Sequence, residues 1–427
     1  MRRTLVLILA ATLLLAACKS TGNSASTTAS TGTTVAAAHD TRAPGVTATS
    51  IKVGIVAIDL SSLESFLHIN EGDFAKAYQA IVDDINAKGG IHGRKLDATI
   101  VKINPTQQTA ADQACTQLTQ DDKVFVAVGF FLGDNVMCYV NSNATATIGG
   151  AMTPARLAQA KAPWFSTDAG ENLEIDVVKS LAKAGKLNGK IAVMAQAADQ
   201  ELLNDRIMPV LTAAGIKPVE KVVMDAPTND PTANYSQAAT ISERLKSEGV
   251  DQLLVVGESA PGAFLPGLAK TSYRPELIFS NLNGLAAYTL DKGSDFSVLT
   301  GSLSGGPFGP ADARLALGGP TKACMDVQRK AGLVIKPSST VAKDQPDQFV
   351  ASALACQQMY LLEAILQKAG PTLDYGTFAA AGDSLGKIVL PSFPDPWTFG
   401  APPNGDGNPK IYLFKWDPTA EQYDISK

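Results

Sequence analysis

The sequence is poor in the residues that usually build metal centres, nucleotide sites and nucleic-acid interfaces. Its 427 residues include three histidines, and neither His68 nor His92 has a cysteine or carboxylate cluster nearby at metal-ligand spacing. Acidic residues outnumber basic ones by 41 to 36, so no basic excess exists for binding nucleic acid. Walker and G-x-G-x-x-G motifs are also missing. These absences predict a protein with no metal, no cofactor and no nucleic-acid partner.

Long apolar runs are confined to the N-terminus. Two arginines precede "TLVLILAATLLLAAC", which ends at Cys18 and is shorter than the roughly 20 residues that a spanning helix needs. No later run looks long enough to cross a bilayer. The segment Leu15–Cys18 resembles the bacterial lipobox, which is cut before its cysteine after diacylglycerol is attached to the thiol. We therefore expect a signal peptide over residues 1–17 and a lipid anchor on Cys18 that holds the protein outside the cytoplasm at the bacterial membrane. An ordinary secretory signal with an incidental Cys18 is the alternative.

Residues 18–50 are rich in serine, threonine, alanine and glycine and contain few large apolar side chains. Such a segment buries too little surface to offset its ordering entropy, so we predict a flexible tether. The folded part is then expected to begin near Ile51 and to contain about 375 residues, which favours two lobes over one core.

Four cysteines follow Cys18, and an even number in an exported protein indicates disulfide bonds. Three pairings are possible. We favour Cys115–Cys138 and Cys324–Cys356, because the members of each pair are close in sequence and link neighbouring helical segments. Each bridge would contribute about 3 kcal/mol by restricting the unfolded chain.

From Ile51 onward, apolar runs alternate with helical patterns. "IKVGIVAI" is typical of a strand covered on both faces, and "GDFAKAYQAIVDDINAKGG" of a helix that ends at Gly89 and Gly90. This alternation predicts an α/β fold of two doubly wound, Rossmann-like lobes. Glycine and proline at 300–310 predict a crossing or turn. Further strands are predicted at 97–103, 123–129, 146–150, 190–196, 218–225, 251–258, 276–281 and 410–417, and further helices at 106–120, 171–186, 199–215, 235–249, 261–271, 321–332 and 347–370.

The segments "INAKGGIHGRKLDATIV" and "ACTQLTQDDKVFVAVG" resemble the leucine/isoleucine/valine-binding class of type I periplasmic solute-binding proteins, and the resemblance extends from Ile51 to about Asp417. It implies a monomer that closes two lobes on a small solute and delivers it to the permease subunits of an ABC transporter. The lobes would comprise 51–168 with 306–400, and 169–305 with 401–427. Three hinge crossings are expected near Thr167–Gly170, Ser304–Pro307 and Phe399–Pro403.

The ligand site is expected outside the carboxyl ends of the strands. In amino-acid-binding members of the class, hydroxyls and backbone N–H groups of the first lobe hold the carboxylate, and an acid of the second lobe meets the ammonium. This sequence has Met152 where a hydroxyl is usual and Asn283 where the acid would stand, with Glu258 or Asp199 as substitutes. The solute is thus predicted only as an amino acid or a related small polar metabolite. The candidate ligand-binding residues are Asp59, Ser61, Phe131, Asp134, Ala151, Met152, Thr153, Asp199, Glu258, Ser259 and Asn283.

The stretch "LLVVGESAPG" raises a rival hypothesis, in which Ser259 is the nucleophile of a serine hydrolase. A nucleophile elbow reads G-x-S-x-G, but Pro261 stands in place of the last glycine, and no histidine follows Ser259. We therefore predict that the protein is not an enzyme and that Ser259 binds solute or caps a helix that begins at Pro261. A sensory protein that signals to a membrane partner is the other alternative.

Overall fold

The computed structural model describes residues 43–61, 70–105, 107–131, 133–168, 170–227, 230–285, 288–289, 293–342 and 345–425. The signal peptide, Cys18, His39 and His68 lie outside the described residues. The strands are β1 (Ser50–Ile58), β2 (Lys95–Ile103), β3 (Val126–Gly129), β4 (Ala146–Ile148), β5 (Trp164–Phe165), β6 (Ile191–Gln196), β7 (Glu220–Met224), β8 (Gln252–Val256), β9 (Glu276–Phe279), β10 (Leu303–Gly306), β11 (Gly386–Ile388), β12 (Trp397–Phe399), β13 (Tyr412–Asp417) and β14 (Gln422–Ile425). The helices are α1 (Phe74–Ala87), α2 (Gln108–Thr116), α3 (Pro154–Leu157), α4 (Gly170–Lys183), α5 (Met208–Ala213), α6 (Pro231–Ser247), α7 (Ser259–Leu268), α8 (Ala311–Leu315), α9 (Gly319–Lys330), α10 (Gln348–Ala369) and α11 (Tyr375–Asp383).

The first sheet is parallel, with strand order β2-β1-β3-β4-β5. Its central strand β1 is covered on both faces, as the continuous apolar run predicts. Val53 and Ile55 pack in a core formed with α1, α9, α10 and α11, whereas Val56 packs on the opposite face with α2. The strand therefore needs apolar side chains at successive positions.

The second sheet has the order β14-β13-β10-β9-β8-β6-β7. Strands β6 to β10 are parallel, and β13 and β14 continue the sheet in antiparallel pairing. In β8, Leu253 and Val255 face one hydrophobic core while Leu254 and Val256 face another. The two sheets with their helices form two lobes, which agrees with the predicted α/β fold of two doubly wound lobes.

Both favoured disulfide bonds are present. Cys115 of α2 is joined to Cys138, with Cα atoms 6.3 Å apart, and Cys324 of α9 is joined to Cys356 of α10, with Cα atoms 6.0 Å apart. Each bridge connects two helical segments on the outside of the first sheet.

The chain passes between the two sets of elements three times, after β5, after β10 and after β12. The second passage begins later than expected, because residues 304–306 belong to β10. Glycines at 305 and 306 do not break this strand. They leave room for β13, whose Tyr412 carbonyl oxygen lies 3.0 Å from where a Cβ of Gly305 would stand. The hinge role of the passages and the lobe boundaries remain predictions.

The folded part begins before Ile51. Ala43 and Val46 are buried in the first core, and the backbone N–H of Lys52 donates to the carbonyl of Gly45 at 2.7 Å. The last residues of the expected tether are therefore part of the first lobe. The sequence pattern did not predict that these residues are folded, because small residues surround the two apolar side chains.

Helix α10 corrects the expectation that no later segment could span a membrane. By length and composition it could cross a bilayer, but most of it is buried inside the protein. It packs against α1, α9 and α11, and its Cys356 forms a disulfide bond. Its apolar character therefore reflects its place in the core of the first lobe.

Candidate functional site

At the ends of β1, β3 and β4 the neighbouring backbones lie so close together that only glycine fits at two positions. A Cβ on Gly129 (φ +135°) would lie 2.1 Å from the Val56 carbonyl oxygen, and one on Gly149 (φ +119°) would lie 2.4 Å from the Gly129 carbonyl oxygen. Two side chains hold the carbonyl groups of these glycines in place. Gln358 Nε2 donates to Gly129 at 3.1 Å, and Trp164 Nε1 donates to Gly149 at 2.7 Å. This edge of the first sheet is therefore rigidly positioned.

The aromatic and sulfur-containing candidates of the first lobe lie in its core. Phe131 packs edge-to-face on Tyr139 with ring centroids 4.9 Å apart, and Met152 is 2% exposed. Met152 also lies against the last passage, since its Sδ would be 3.6 Å from a Cβ on Gly405. Both side chains are therefore part of the hydrophobic core of the first lobe, and their predicted contact with a solute stays a prediction.

The polar candidates of the first lobe mostly bond to their own neighbourhood. The hydroxyl of Ser61, together with its backbone N–H, which donates to Asp59 Oδ1 at 3.0 Å, holds the pKa of the Asp59 carboxyl below its usual value. Thr153 accepts the N–H of Arg156 at 3.2 Å and so caps α3. Exposed Asp134 accepts from Arg156 Nε at 2.8 Å.

Arg156 was not among the predicted residues, although it sits on the first helix after β4. Besides Asp134 it contacts Ala151, whose carbonyl accepts from Arg156 Nη1 at 3.0 Å. One guanidinium thus connects the segments that follow β3 and β4, and its charge also acts on Asp168, where it opposes the rise in pKa caused by burial.

Asp168 is the third residue beyond β5, a two-residue strand that the sequence pattern did not reveal. Its backbone N–H donates to Ser166 Oγ at 3.0 Å, and its Oδ1 accepts the N–H of Gly170 at 3.0 Å. Burial raises the pKa of the Asp168 carboxyl to about 6, and the nearby charge of Glu258 adds to the rise. Asp168 follows β5 of the first sheet and Glu258 follows β8 of the second, so each carboxyl group lies at the carboxyl end of a strand.

In the second lobe, a buried carboxylate underlies the ends of β8 and β9. Glu174 of α4 is 3% exposed and accepts the N–H of Gly257 at 2.9 Å, the hydroxyl of Ser280 and, at 3.4 Å, Asn281 Nδ2. Burial raises its pKa to about 7, against the opposing effect of these donors. Sequence reasoning had no signal for Glu174, because a glutamate in an early turn of a helix is usually solvated.

Gly257 lets two carboxylates approach the same turn. A Cβ at this position (φ +87°) would lie 2.2 Å from Asp199 Cγ. Asp199 Oδ2 accepts the N–H of Ser259 at 3.2 Å, and burial raises the pKa of Asp199. Ser259 is the first residue of α7, so the expectation that it caps a helix beginning at Pro261 is wrong.

Glu258 is exposed, and two amide side chains orient it. Its Oε1 accepts from Asn281 Nδ2 at 2.9 Å and from Asn283 Nδ2 at 3.2 Å. Asn281 is itself fixed, because its Oδ1 accepts the N–H of Asn283 at 2.6 Å. The two asparagines thus present the Glu258 carboxylate at the end of the strand.

The passages between the lobes carry another buried acid. Asp406 is 1% exposed and accepts from Asn172 Nδ2 at 3.0 Å, while Asn172 Oδ1 accepts from Arg206 at 3.2 Å. Burial raises the pKa of Asp406 to about 7, and the charge of Asp168 contributes. Carboxylates therefore dominate the region where the lobes meet.

A cavity of about 700 Å³ lies elsewhere, at the opposite edge of the second sheet, where β8, β9 and β10 begin. The side-chain amide of Gln252, which lines this cavity, already has protein partners. Gln252 Oε1 accepts the N–H of Gly189 at 2.7 Å, and Gln252 Nε2 donates to Glu276 at 2.5 Å. It is separate from the strand ends where doubly wound folds bind ligands, so it is not the candidate site.

A family model described as periplasmic binding protein matches residues 50–422. The chain belongs to the periplasmic binding protein family. Membership implies a location outside the cytoplasm. A search of curated protein sequences gives no match.

Solved structures with the same fold include three ABC-transporter or leucine-binding proteins. An R. palustris solute-binding protein in complex with 4-hydroxybenzoate is 17% identical, with a TM-score of 0.61 over 88% of this chain and 96% of its own. A Desulfitobacterium hafniense substrate-binding protein in complex with Leu is 15% identical, with a TM-score of 0.60 over 88% and 100%. A leucine-binding protein from Thermotoga maritima is 13% identical, with a TM-score of 0.58 over 88% and 98%. These relatives bind solutes and are not described as enzymes.

Proposed function

We propose that this protein is the solute-binding component of an ABC importer and captures a small polar solute by closing its two lobes. The observation that carries the proposal is the arrangement of the strand ends. Oriented polar groups from the second sheet, above all Glu258, lie close to Asp168 at the end of the first sheet, in a chain of the periplasmic binding protein family. Three passages between the lobes supply the hinge.

The proposal includes release of the solute unchanged. Ser259 contacts Asp199 through its backbone N–H at 3.2 Å and also through its hydroxyl, but no histidine follows Ser259 in the sequence to act as the base of a hydrolase triad. His92 lies on the outside of the first lobe, where its Nε2 bonds to the carbonyl of Gln367 at 2.9 Å. We therefore expect mass spectrometry to recover a bound solute intact after prolonged incubation. Any turnover by purified protein would contradict this part.

Ligand-induced closure is the direct test. A thermal-shift screen of amino acids, amides, short-chain acids and aromatic acids should reveal a stabilising ligand, since a solute at 100 times its Kd adds about 2.7 kcal/mol. Small-angle X-ray scattering with that ligand should then show a smaller radius of gyration. Glu243→Gln, on the exposed face of α6, serves as a control that leaves both readouts unchanged. A ligand that stabilises the protein but leaves its scattering profile unchanged would contradict hinge closure.

We further propose that a lipid on Cys18 anchors the protein to the membrane. The lipobox-like segment supports this, and more than one acyl chain makes anchoring stable where a single chain is marginal. The full-length chain expressed in a bacterium should partition into the detergent phase of a phase-separating detergent, and Cys18→Ala should remain in the aqueous phase. Equal partitioning of both forms would show that Cys18 carries no lipid.

A further inference from the structure

We propose that the side-chain contact between Tyr412 and Asp395 is a latch that holds the two lobes in one orientation and breaks when they rotate. This inference rests on the proposed hinge closure, and it specifies which contact resists that motion. Tyr412 begins β13 of the second sheet, whereas Asp395 lies between β11 and β12, among residues of the first core such as Phe393 and Trp397. The contact therefore joins one lobe to the other.

The third passage between the lobes has only a short segment in which to bend. Its first part is fixed to the first lobe, because the backbones of Thr398 and Asn408 exchange two hydrogen bonds, at 3.4 and 3.1 Å. Its end is fixed to the second lobe, because Tyr412 pairs with Gly306 of β10. At most residues 409–411 remain between these fixed points, so rotation in this passage is concentrated there.

The second passage is even shorter. Gly306 is the last residue of β10, and Phe308 already packs in the first lobe, with its ring 5.4 Å from that of Phe393 and 3.9 Å from the guanidinium carbon of Arg314. Only Pro307 lies between Gly306 and Phe308. Because Gly306 pairs with Tyr412, the second and third passages leave the second sheet side by side. The latch therefore lies next to both points of bending.

The latch consists of one hydrogen bond with a cation beside it. The Tyr412 hydroxyl donates to Asp395 Oδ2, and this bond raises the pKa of the hydroxyl, which therefore keeps its proton. Lys410, in the bending segment itself, has its Nζ 3.5 Å from the same carboxylate oxygen and 4.6 Å from the centre of the Tyr412 ring. A tyrosine side chain turns about two torsions only, so its hydroxyl cannot stay within hydrogen-bond distance of Asp395 when the lobes rotate.

Distances between two spin labels measure the orientation of the lobes without any solute. We would attach the labels at Gln79→Cys, on the exposed face of α1, and at Glu243→Cys, on the exposed face of α6, in the full-length Cys18→Ala chain. The other four cysteines form disulfide bonds and do not take up label. Double electron–electron resonance of this parent should give one main distance.

Tyr412→Phe keeps the ring and removes the donor, and Asp395→Ala removes the acceptor. Each should populate a second distance and shift the ratio of the two orientations about tenfold, because one charge-assisted hydrogen bond is lost. The two substitutions together should shift the ratio no further, since both remove the same contact. Tyr423→Phe is the matched control, because Tyr423 bonds to Ser302 at 2.6 Å within the second lobe, and it should behave like the parent.

The hydrogen bond of Asn172 with Asp406, beside the first passage, is intact in every variant, so it does not contribute to the difference. Either single variant decides the matter if the other does not fold. The latch is refuted if the folded variants give the distances of the parent, if the effects of the two substitutions add, or if Tyr423→Phe shifts the ratio as much. A refuted latch in a protein whose label distance still shortens with a solute from the thermal-shift screen would leave the proposed function standing.

Discussion

Replacement of Glu174 by glutamine should change how the stability of the protein depends on pH. Glu174 is 3% exposed and its folded pKa is about 7, against an ordinary value of 4.5. Between these two pH values the folded state binds more protons than the unfolded state, so the free energy of unfolding falls as pH rises from 4.5 to 7 and is constant above. The difference corresponds to about 3 kcal/mol for this one group.

Glutamine has nearly the same shape as glutamate and does not titrate. In Glu174→Gln the amide oxygen can still accept the N–H of Gly257 and the hydroxyl of Ser280, while the amide nitrogen meets Asn281, which is the longest of the three contacts at 3.4 Å. That mismatch costs about 1 kcal/mol. We therefore expect the variant to be more stable than the wild type by about 2 kcal/mol at pH 8 and less stable near pH 4.5.

Urea unfolding followed by tryptophan fluorescence, at several pH values from 4.5 to 8, measures this difference. The three tryptophans are buried and report on both lobes, since Trp164 and Trp397 belong to the first and Trp416 to the second. The contribution of Asp168 and Asp406 cancels when the variant is compared with the wild type. A difference between the two proteins that does not change with pH would refute the assignment of Glu174 as a buried, titrating acid.

Three further substitutions test the packing around the site. Replacing Cys324 and Cys356 together by serine should lower the free energy of unfolding by about 3 to 4 kcal/mol, because the 32-residue separation is no longer closed, and the two proteins should match in denaturant once both are reduced, since reduction also opens Cys115–Cys138. Gly129→Ala should yield little folded protein on expression, since its Cβ would lie 2.1 Å from the Val56 carbonyl oxygen. Asp230→Ala should lower the melting temperature through the loss of about 1 kcal/mol, because Asp230 caps α6; an unchanged melting temperature would contradict that role.

The sequence was most informative where burial on both faces requires continuous apolar residues. The predicted strand at 51–58 corresponds to β1, and the strand predicted at 251–258 contains β8. Short elements carried no such pattern. Strand β5 has two residues, and the hairpin of β11 and β12 has three in each strand, so neither could be distinguished from a loop.

Hydrophobic periodicity also could not predict which type of helix a segment forms. The segment predicted as one helix at 199–215 begins at the last residue of a 3₁₀ turn, Ala197–Asp199, and contains a π-helical stretch at Leu202–Ile207 before α5. Pro209 lies in the first turn of α5, directly after the π-helical stretch, and has no N–H to donate along the helix. Apolar spacing located the helical segment but could not predict which pattern of backbone hydrogen bonds each part of it adopts.

The sequence predicted which residues follow the strands, but it did not predict the hydrogen bonds among them. The sequence placed Glu258 and Asn283 after neighbouring strands, which the structure confirms, whereas their role in solute binding stays a prediction. The resemblance treated Asn283 as the place where an acid was missing. In the structure, Asn283 and Asn281 donate to Glu258, so the amides hold an acid that follows the neighbouring strand. Nothing local to Asn283 reveals this, because the contact joins residues 25 positions apart. The sequence could name Glu258 as a substitute for the missing acid, but only the folded arrangement shows that Asn281 and Asn283 hold its carboxylate in place.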